Sequence, residues 1–366
     1  MLNGKPYCRK CISFRGEEVE HKASYPKKAP IHLEYELSPE QKELSDKLVE
    51  NYKKGIDSLV FAVCGSGKTE ITIGVIKLCM ERGLTVGFAL PRRDVAKELF
   101  DRFTQIFKNN HLALVYGGHN KYLKGDLVIL TTHQLFRYDN YFDLLIVDEM
   151  DAFPFKGSDV LVSFFRKAIK KNYILMSATP EKSFVEKFQK EGGEVLHLFM
   201  RFHRHPLPVP KIIIKKSIFI YIELIKKVKY FMNKNKPLFI FTPTIAMCES
   251  IYKLLSIFIK GGNYVHSKKH DRPEVIEAFR KGRYQYLVTT AVLERGVTVK
   301  DLQVIIFRAD NSIYDEYSLV QIAGRVGRKK EAPEGEVIYL ANEYTKDMEK
   351  SIKSIQNANE SLQNML

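Results

Sequence analysis

Short apolar runs rich in β-branched and aromatic residues alternate with helix-length segments along most of this chain. Such alternation is typical of parallel sheets covered by helices on both faces. Predicted strands of a first series occupy Ser58–Val63, Thr85–Leu90, Ala113–Tyr116, Leu127–Thr131, Leu144–Val147 and Tyr173–Ser177. Predicted strands of a second series occupy Leu238–Phe241, Tyr264–His266, Tyr286–Thr289, Val304–Phe307 and Glu336–Leu340. The sequence therefore predicts two α/β domains, which fits a length of 366 residues.

Prolines mark the boundary between the two predicted domains. The run Pro206–Pro210 cannot continue a helix or a central strand, so it is interpreted as an extended linker. We accordingly predict a first domain over residues 37–205 and a second over residues 206–366. Residues 1–36 lack clear periodicity and are predicted to form a separate small element. Helical spacing near the end predicts a last helix on the second domain, through Met348, Ile352, Ile355 and Leu362.

The charge of the chain points to a polyanionic partner. The formal net charge is +15, which attracts nucleic acid, although a genome that uses lysine liberally would also produce it. The charge is uneven, because Arg201–Lys236 holds ten basic residues against the single acid Glu223. Neither an apolar signal region nor a run of 18 apolar residues occurs, so we expect a cytoplasmic protein without a transmembrane segment of its own. The five cysteines do not form a disulfide framework.

A glycine-rich segment, AVCGSGKTE, lies at Ala62–Glu70 between a predicted strand and a predicted helix. In that context glycines let backbone N–H groups turn inward around phosphate oxygens, and the start of the helix adds partial positive charge. Lys68 is suited to reach the β- and γ-phosphates, and Thr69 to place its hydroxyl on Mg²⁺. Ala62 replaces the first glycine of the usual pattern, so a chance Gly-Lys-Thr stays an alternative. The predicted ATP-binding residues of this loop are Gly65, Ser66, Gly67, Lys68, Thr69 and Glu70.

Two carboxylates follow an apolar strand further along the chain. Asp148 and Glu149 come directly after Leu144–Val147, and ligands of open α/β sheets bind where strands end. Asp148 is suited to hold Mg²⁺, and Glu149 to polarise the attacking water. A surface acid pair is the alternative, but such a pair is not normally preceded by four residues of the buried type.

Three further groups agree with a nucleotide site in order and spacing. Gln41 lies upstream of the loop, where its side-chain amide could read adenine edges. Ser177 and Thr179 end a predicted strand and could couple the nucleotide site to a nucleic-acid site. The segment QIAGRVGR predicts that two arginines share one helical face, and guanidinium groups suit the charge of a γ-phosphoryl transition state. Its predicted catalytic residues are Gln321, Arg325 and Arg328.

Together these segments resemble the superfamily 2 helicases and translocases. The resemblance runs from about Leu37 onward through AVCGSGKT, ALPRRD, TTHQL, VDEMD, SAT, FTPT, TTAVLERGVTV and QIAGRVGR. It implies two tandem RecA-like P-loop domains with ATP at their interface, and it adds Gly296 to the ATP-binding residues. It also implies DNA contacts from Pro91, Arg92, Arg93, Thr132, His133, Thr242, Thr290 and His266.

A narrower resemblance joins DEMDAFPF, LERGVTV and RFHRHPLPVPK to the ComFA family of late-competence proteins. It implies an ATP-driven, DNA-binding motor for DNA uptake in transformation, with single-stranded DNA, a membrane uptake channel and other late-competence proteins as partners. It also implies a place at the inner face of the plasma membrane. The segment YCRKC is similar to half of a zinc element, but Cys8 and Cys11 supply two ligands where a structural site needs four. Whether this chain binds Zn²⁺ therefore stays open.

Three functions remain for the chain at this stage. The first is an ATP-dependent single-stranded-DNA translocase or helicase for uptake, with ATP and Mg²⁺ as cofactors. The second is a general repair or replication-restart helicase, or an RNA helicase. The third is an ATP-gated scaffold whose nucleotide cycle controls assembly and not movement.

Overall fold

The computed structural model describes residues 19, 26, 28–33, 36–62, 66–119, 121–149, 158–177, 182–198, 205–290 and 299–363. The chain divides into two compact units between residues 198 and 199. Each unit is a parallel sheet with helices on both faces, as the alternation predicts, so the predicted fold class of two tandem RecA-like domains is confirmed. Cys8 and Cys11, for which Zn²⁺ binding stays open, lie outside the described residues.

The first unit is built on a seven-stranded sheet. Its strands are buried along most of their length because helices cover both faces, and their order is β3-β4-β2-β5-β6-β1-β7. Every pair is parallel. The strands are β1 (Ser58–Ala62), β2 (Val86–Leu90), β3 (Leu112–Val115), β4 (Leu127–Thr131), β5 (Phe142–Asp148), β6 (Ile169–Ser177) and β7 (Glu194–Leu198).

Helices of the first unit connect these strands and bury apolar stripes on the sheet. One core cluster joins β1, β2 and β5 to the inner faces of the first three helices, and a second lies on the opposite face. The helices are α1 (Pro39–Lys54), α2 (Ile73–Glu81), α3 (Arg93–Ile106), α4 (Asp159–Ala168) and α5 (Lys182–Lys190). Short 3-10 helices occupy Glu70–Thr72 and Thr132–Arg137.

The second unit has a six-stranded parallel sheet in the order β10-β11-β9-β12-β13-β8. Its strands are β8 (Lys211–Ile214), β9 (Leu238–Phe241), β10 (Gly262–Val265), β11 (Tyr286–Thr289), β12 (Gln303–Phe307) and β13 (Val337–Ala341). Its helices are α6 (Ile218–Asn233), α7 (Ile245–Phe258), α8 (Arg272–Arg280), α9 (Glu316–Ala323) and α10 (Lys346–Gln363). The α6 and α7 helices cover one face of the sheet and α8, α9 and α10 cover the other.

The structure differs from the sequence interpretation at two places. Edge strands β7 and β8 were not predicted, and β8 begins directly after the proline run, at Lys211. Residues 28–33 do not stand apart from the first unit, because Ala29 is buried in its core and the His32 N–H donates to the carbonyl of Ile106. The predicted last helix, by contrast, is present as α10, with Met348 and Ile355 buried.

Candidate functional site

Strand β1 delivers the predicted phosphate loop to the carboxyl edge of the first sheet. The loop residues Val63–Gly65 lie outside the described ones, and Ser66 beyond them is fully buried. Gly67 has φ +77°, a backbone conformation that favours glycine. A Cβ atom at Gly67 would lie only 2.3 Å from the Nε2 atom of Gln41, so a side chain there would clash. The loop thus keeps its backbone accessible at a point where glycine is required.

Lys68 contacts the acidic end of β5. Its Nζ atom lies 2.6 Å from Oδ1 of Asp148, and both side chains are largely buried. Strand β6 runs between β1 and β5, where Ser177 pairs with Phe61 of β1 and Met176 pairs with Asp148. The structure therefore brings Lys68, Asp148 and the fully buried Ser177 to one edge of one sheet. Thr179 lies outside the described residues.

Glu149 follows β5 in a strained backbone conformation. Its φ is +58°, a left-handed region that non-glycine residues rarely adopt, and the residue is 8% exposed. Backbone strain of this kind costs of order 1–3 kcal/mol and is concentrated at functional sites. The second carboxylate is therefore held in a fixed place beside Asp148 and is not a mobile surface acid.

Gln41 joins the start of α1 to the phosphate loop. Its Oε1 atom accepts from the Ser38 N–H at 3.0 Å, while the Ser38 hydroxyl accepts from the Gln41 N–H at 3.2 Å. This reciprocal capping box fixes the amide, whose nitrogen faces Gly67. The residue is 5% exposed.

An ion pair that sequence reasoning missed connects the loop to α3. Nη1 of Arg102 lies 3.1 Å from Oε1 of Glu70, directly after the Gly-Lys-Thr segment. The α3 helix also carries Arg93 at its first turn, so one rigid helix contacts the phosphate loop and presents a predicted DNA contact. No local pattern signals this pair, because its members are brought together only by the fold.

The arginines of the second unit lie on a turn and not on a helical face, so that part of the interpretation is wrong. Helix α9 ends at Ala323 with Gly324 as its C-cap residue, and Gly327, in the turn that follows, adopts φ +70°, which favours glycine. Gln321 and Arg325 are buried, Arg325 being 1% exposed. Arg328 is half-buried, and its Nε donates to the carbonyl of Gly324 at 3.0 Å. The turn holds two guanidinium groups in defined positions.

Predicted nucleic-acid contacts fall into an exposed and a buried group. Arg93 and His133 are exposed, and Pro91, Arg92 and Thr290 are half-buried. Thr132 is 2% exposed, and Thr242 is fully buried with its hydroxyl donating to the carbonyl of Thr289 at 3.0 Å. His266 is also buried, and its Nε2 lies 3.1 Å from Glu249. The exposed side chains are therefore available to contact a nucleic acid. The hydroxyl of Thr242, by contrast, is already used in a hydrogen bond within the sheet. Gly296 lies outside the described residues.

The described residues offer neither a metal-binding cluster nor a membrane-spanning helix. They contain no group of three or more His, Cys, Asp or Glu placed to hold a metal ion, and Cys8 and Cys11 are not among them. None of the helices in that part of the chain is long and apolar enough to cross a membrane.

Two protein families match this chain. Residues 34–182 match the family described as type III restriction enzyme, res subunit, and residues 220–330 match the helicase conserved C-terminal domain. The competence protein ComFA of Bacillus subtilis (strain 168) is 35% identical over 97% of this chain and 81% of that protein. ComFA of Streptococcus pneumoniae (strain R6) is 33% identical over 97% of this chain and 86% of that protein.

A solved structure shares the fold. Dbp5 of S. cerevisiae, bound to RNA and ADP BeF3, superposes with a TM-score of 0.63 over 88% of this chain and 92% of that one. Its sequence identity of 15% supports a likeness of fold alone.

Proposed function

The chain belongs to the ComFA family of superfamily 2 helicases, which hydrolyse ATP, and from that premise we propose that it moves single-stranded DNA during DNA uptake in competence. The observation that carries the proposal is the Lys68–Asp148 ion pair. It places the phosphate loop and the acidic strand end together at the sheet edge where open α/β sheets bind ligands.

Lys68 is proposed to bind the β- and γ-phosphates of ATP. In the structure the Lys68 ammonium pairs with the Asp148 carboxylate. When ATP binds, its phosphates would replace Asp148 as the partner of Lys68, and the Asp148 carboxylate would then be available to Mg²⁺. The Thr69 hydroxyl and the Asp148 carboxylate are the hard oxygen ligands that Mg²⁺ prefers, so these residues fit the ion. When bound, Mg²⁺ neutralises charge on the phosphates.

Glu149 is proposed to orient the attacking water. Its carboxylate is nearly buried, and its left-handed backbone fixes where the side chain leaves the strand. Phosphoryl transfer depends mainly on positioning and electrostatic stabilisation, so a carboxylate held in this way suits the step.

Arg325 and Arg328 are proposed to stabilise the charge that spreads over the γ-phosphoryl oxygens during hydrolysis. Burial of Arg325 and the hydrogen bond from Nε of Arg328 to the Gly324 carbonyl limit the freedom of both side chains. The role requires the second unit to take part in the ATPase cycle of the first. Loss of the γ-phosphate would remove their partner, and this would make the grip on DNA depend on the nucleotide.

Arg92, Arg93 and His133 are proposed to hold the DNA backbone in the first unit, because they follow the ends of β2 and β4, Arg92 and Arg93 at the start of α3 and His133 in the 3-10 helix Thr132–Arg137. The Glu70–Arg102 pair supports coupling, since α3 contacts both the phosphate loop and this grip. The membrane uptake channel and the other late-competence proteins are the partners that this proposal implies.

The decisive experiment measures ATP hydrolysis by the full chain with and without single-stranded oligo-dT. We expect DNA to stimulate hydrolysis and Lys68→Ala to abolish it. We expect Arg328→Ala to lower the rate by about 10³-fold while nucleotide binding persists. Lys77→Ala is the matched control, because Lys77 is a part-exposed lysine of α2 that pairs only loosely with Glu81, at 3.8 Å.

Movement is measured by displacement of streptavidin from biotinylated single-stranded DNA. Stimulated hydrolysis without displacement would favour the ATP-gated scaffold. Equal stimulation by RNA would favour an RNA helicase. A hydrolysis rate that DNA leaves unchanged would refute the motor.

A further inference from the structure

A cavity of about 380 Å³ lies at the open edge of the first sheet. Helix α3 forms one wall, and the edge strand β3 with the turn after it forms the other. The volume falls within the range of about 300–1,000 Å³ typical of small-ligand sites. Its polar and aromatic lining comes from Lys97, Asp101, His111, Tyr116, His119 and Tyr122.

The turn after β3 holds its rings in fixed positions. Tyr116 and His119 exchange both backbone hydrogen bonds across Gly117 and Gly118, and Gly118 has φ +83°. The two rings stack with their centroids 4.9 Å apart and an interplanar angle of 15°. Nδ1 of His119 lies 3.0 Å from the Leu114 carbonyl, which can only accept, so Nδ1 is the donor. In the neutral ring Nε2 is then an acceptor.

The remaining walls are anchored as well. The Tyr138 hydroxyl donates to the carbonyl of Leu123 at 2.8 Å, which fixes the chain just beyond Tyr122. The His111 N–H donates to Asp126 at 3.0 Å, and the Asp126 N–H donates back to the His111 carbonyl at 2.8 Å. The cavity is therefore preformed. Tyr122 is 61% exposed, so it presents a ring to whatever enters.

Basic side chains surround the same rings. Nζ of Lys97 lies 5.0 Å from the centroid of the Tyr116 ring, and Cζ of Arg93 lies 5.7 Å from it. Nζ of Lys121 lies 5.5 Å from the Tyr122 ring. These cations favour a phosphate at the rim of the cavity. Arg93 is also one of the proposed DNA contacts, so the cavity borders the proposed DNA path.

We propose that this cavity is a base-binding pocket for single-stranded DNA, in which one nucleobase stacks on Tyr122 while its phosphate stays at the basic rim. The pocket rests on the proposed function, because it adds a base contact to the proposed backbone grip. Asp101 inside the lining repels a phosphate and can accept from an exocyclic amine. Stacking on an aromatic ring tolerates every base, as a translocase that reads no sequence requires.

The test compares binding of two single strands by the full chain, an ordinary oligonucleotide and an abasic one of equal length. Tyr122→Ala is expected to weaken binding of the ordinary strand by about fivefold or more, the lower end of what one stacked base contributes. It is expected to leave the abasic strand and the slope of log affinity against log salt unchanged, because no cation is removed.

Two control variants separate a base contact from a structural effect. Tyr122→Phe keeps the stacking ring and is expected to bind as the unchanged chain does. Tyr344→Ala removes a tyrosine that is 56% exposed in the second unit and is expected to have no effect.

The outcomes distinguish the pocket from the proposed function. Equal affinity of the unchanged chain for both strands would overturn the pocket and leave the motor standing. An equal loss on both strands in Tyr122→Ala would overturn it too, because the ring would then not act through a base. Absence of any DNA binding would overturn the proposed function and the pocket with it.

Discussion

The two units share one sheet topology and differ in the chemistry at its edge. Their first six strands follow the same spatial order, with β1 to β6 in the first unit corresponding to β8 to β13 in the second, and β7 is an added edge strand. The sequence shows no internal repeat that would reveal this correspondence. The comparison teaches that the topology provides equivalent places at the sheet edge, while the residues that occupy them decide the function.

The residues that directly follow β5 and β12 occupy equivalent positions but differ in chemistry. Glu149 follows β5 with φ +58°, and Arg308 follows β12 with φ +56°. Arg308 is engaged locally, because its Nη2 lies 3.0 Å from Asp310 and its Nε lies 3.2 Å from the same carboxylate. The hydrogen bonds to Asp310 raise the pKa of Arg308 above its ordinary value. Glu149 is thus a carboxylate that directly follows Asp148, the partner of Lys68, whereas Arg308 belongs to a structural ion pair.

Glu149→Gln is expected to lower ATP hydrolysis by about 10²-fold or more, because the amide cannot act as a base toward water. Nucleotide binding should persist, since Lys68 and the phosphate loop are unchanged. Steady-state hydrolysis and equilibrium binding of a fluorescent ATP analogue measure the two effects separately.

Arg308→Gln is the control at the equivalent place in the second unit. It should lower the melting temperature by a few degrees through loss of the Asp310 pair, with the hydrolysis rate constant retained at a temperature where the chain is folded. If both substitutions reduced hydrolysis equally, the functional contrast between the two positions would be wrong.

The strand ends after β1 and β8 differ in the same way. The first leads into the phosphate loop, whereas the second leads into Lys215 and Lys216 just before α6, and Lys226 lies within that helix. All three lysines are exposed, whereas Lys227 is half-buried and lies 3.9 Å from Glu223. These three lysines are therefore accessible to DNA, as is Lys229, which is also exposed.

Replacing Lys215, Lys216 and Lys226 by glutamine is expected to weaken single-stranded DNA binding by about tenfold at moderate salt. Each lost phosphate contact should reduce the salt slope by about 0.7. Fluorescence anisotropy at several salt concentrations measures both quantities, and ATP binding should not change.

Replacing Lys346, Lys350 and Lys353 by glutamine provides the matched control. It makes the same change of charge on α10, which packs on the opposite face of the second sheet. Equal losses in the two triple variants would mean that net charge alone attracts DNA and that the α6 surface has no special part.

Sequence patterns gave most of the central strands and the places where chemistry is concentrated. Buried parallel strands are continuous apolar runs, so β5 was recognisable and the carboxylates at its end followed from it. Edge strands are weaker signals, because β7 and β8 are short and only half-buried, and pairing with a neighbour defines them. The end of α9 was missed because Gly324 was read as part of a helical motif and not as its cap.

The least predictable features depend on contacts between distant elements. Neither the Glu70–Arg102 pair nor the cavity between α3 and β3 leaves a local pattern. The Gly117–Gly118 doublet between two aromatic residues was the one available signal for the turn beside the cavity. Topology is thus recoverable from periodicity, whereas a site assembled from several elements becomes visible only once the fold places them.

The cores of the two units permit a last and smallest test of the comparison. Ile146 of β5 and Ile305 of β12 are fully buried at corresponding strand positions, and each shares a core cluster with a buried cysteine of its own unit. Burial raises the pKa of Cys79 and of Cys248 to about 12, so neither thiol reacts unless its surroundings open. Each cysteine therefore reports the opening of its own unit.

Ile146→Val is expected to cost about 1 kcal/mol and to speed alkylation of Cys79 by about fivefold, with Cys248 unchanged. Ile305→Val should show the reverse. Peptide-level mass spectrometry after timed alkylation measures both rates in one sample, so each variant carries its control within the same chain. Faster labelling of both cysteines in either variant would mean that the two sheets open as one cooperative body. The two sheets would then belong to a single folding unit. The division of the chain near residue 198 would separate two compact regions that nevertheless unfold together.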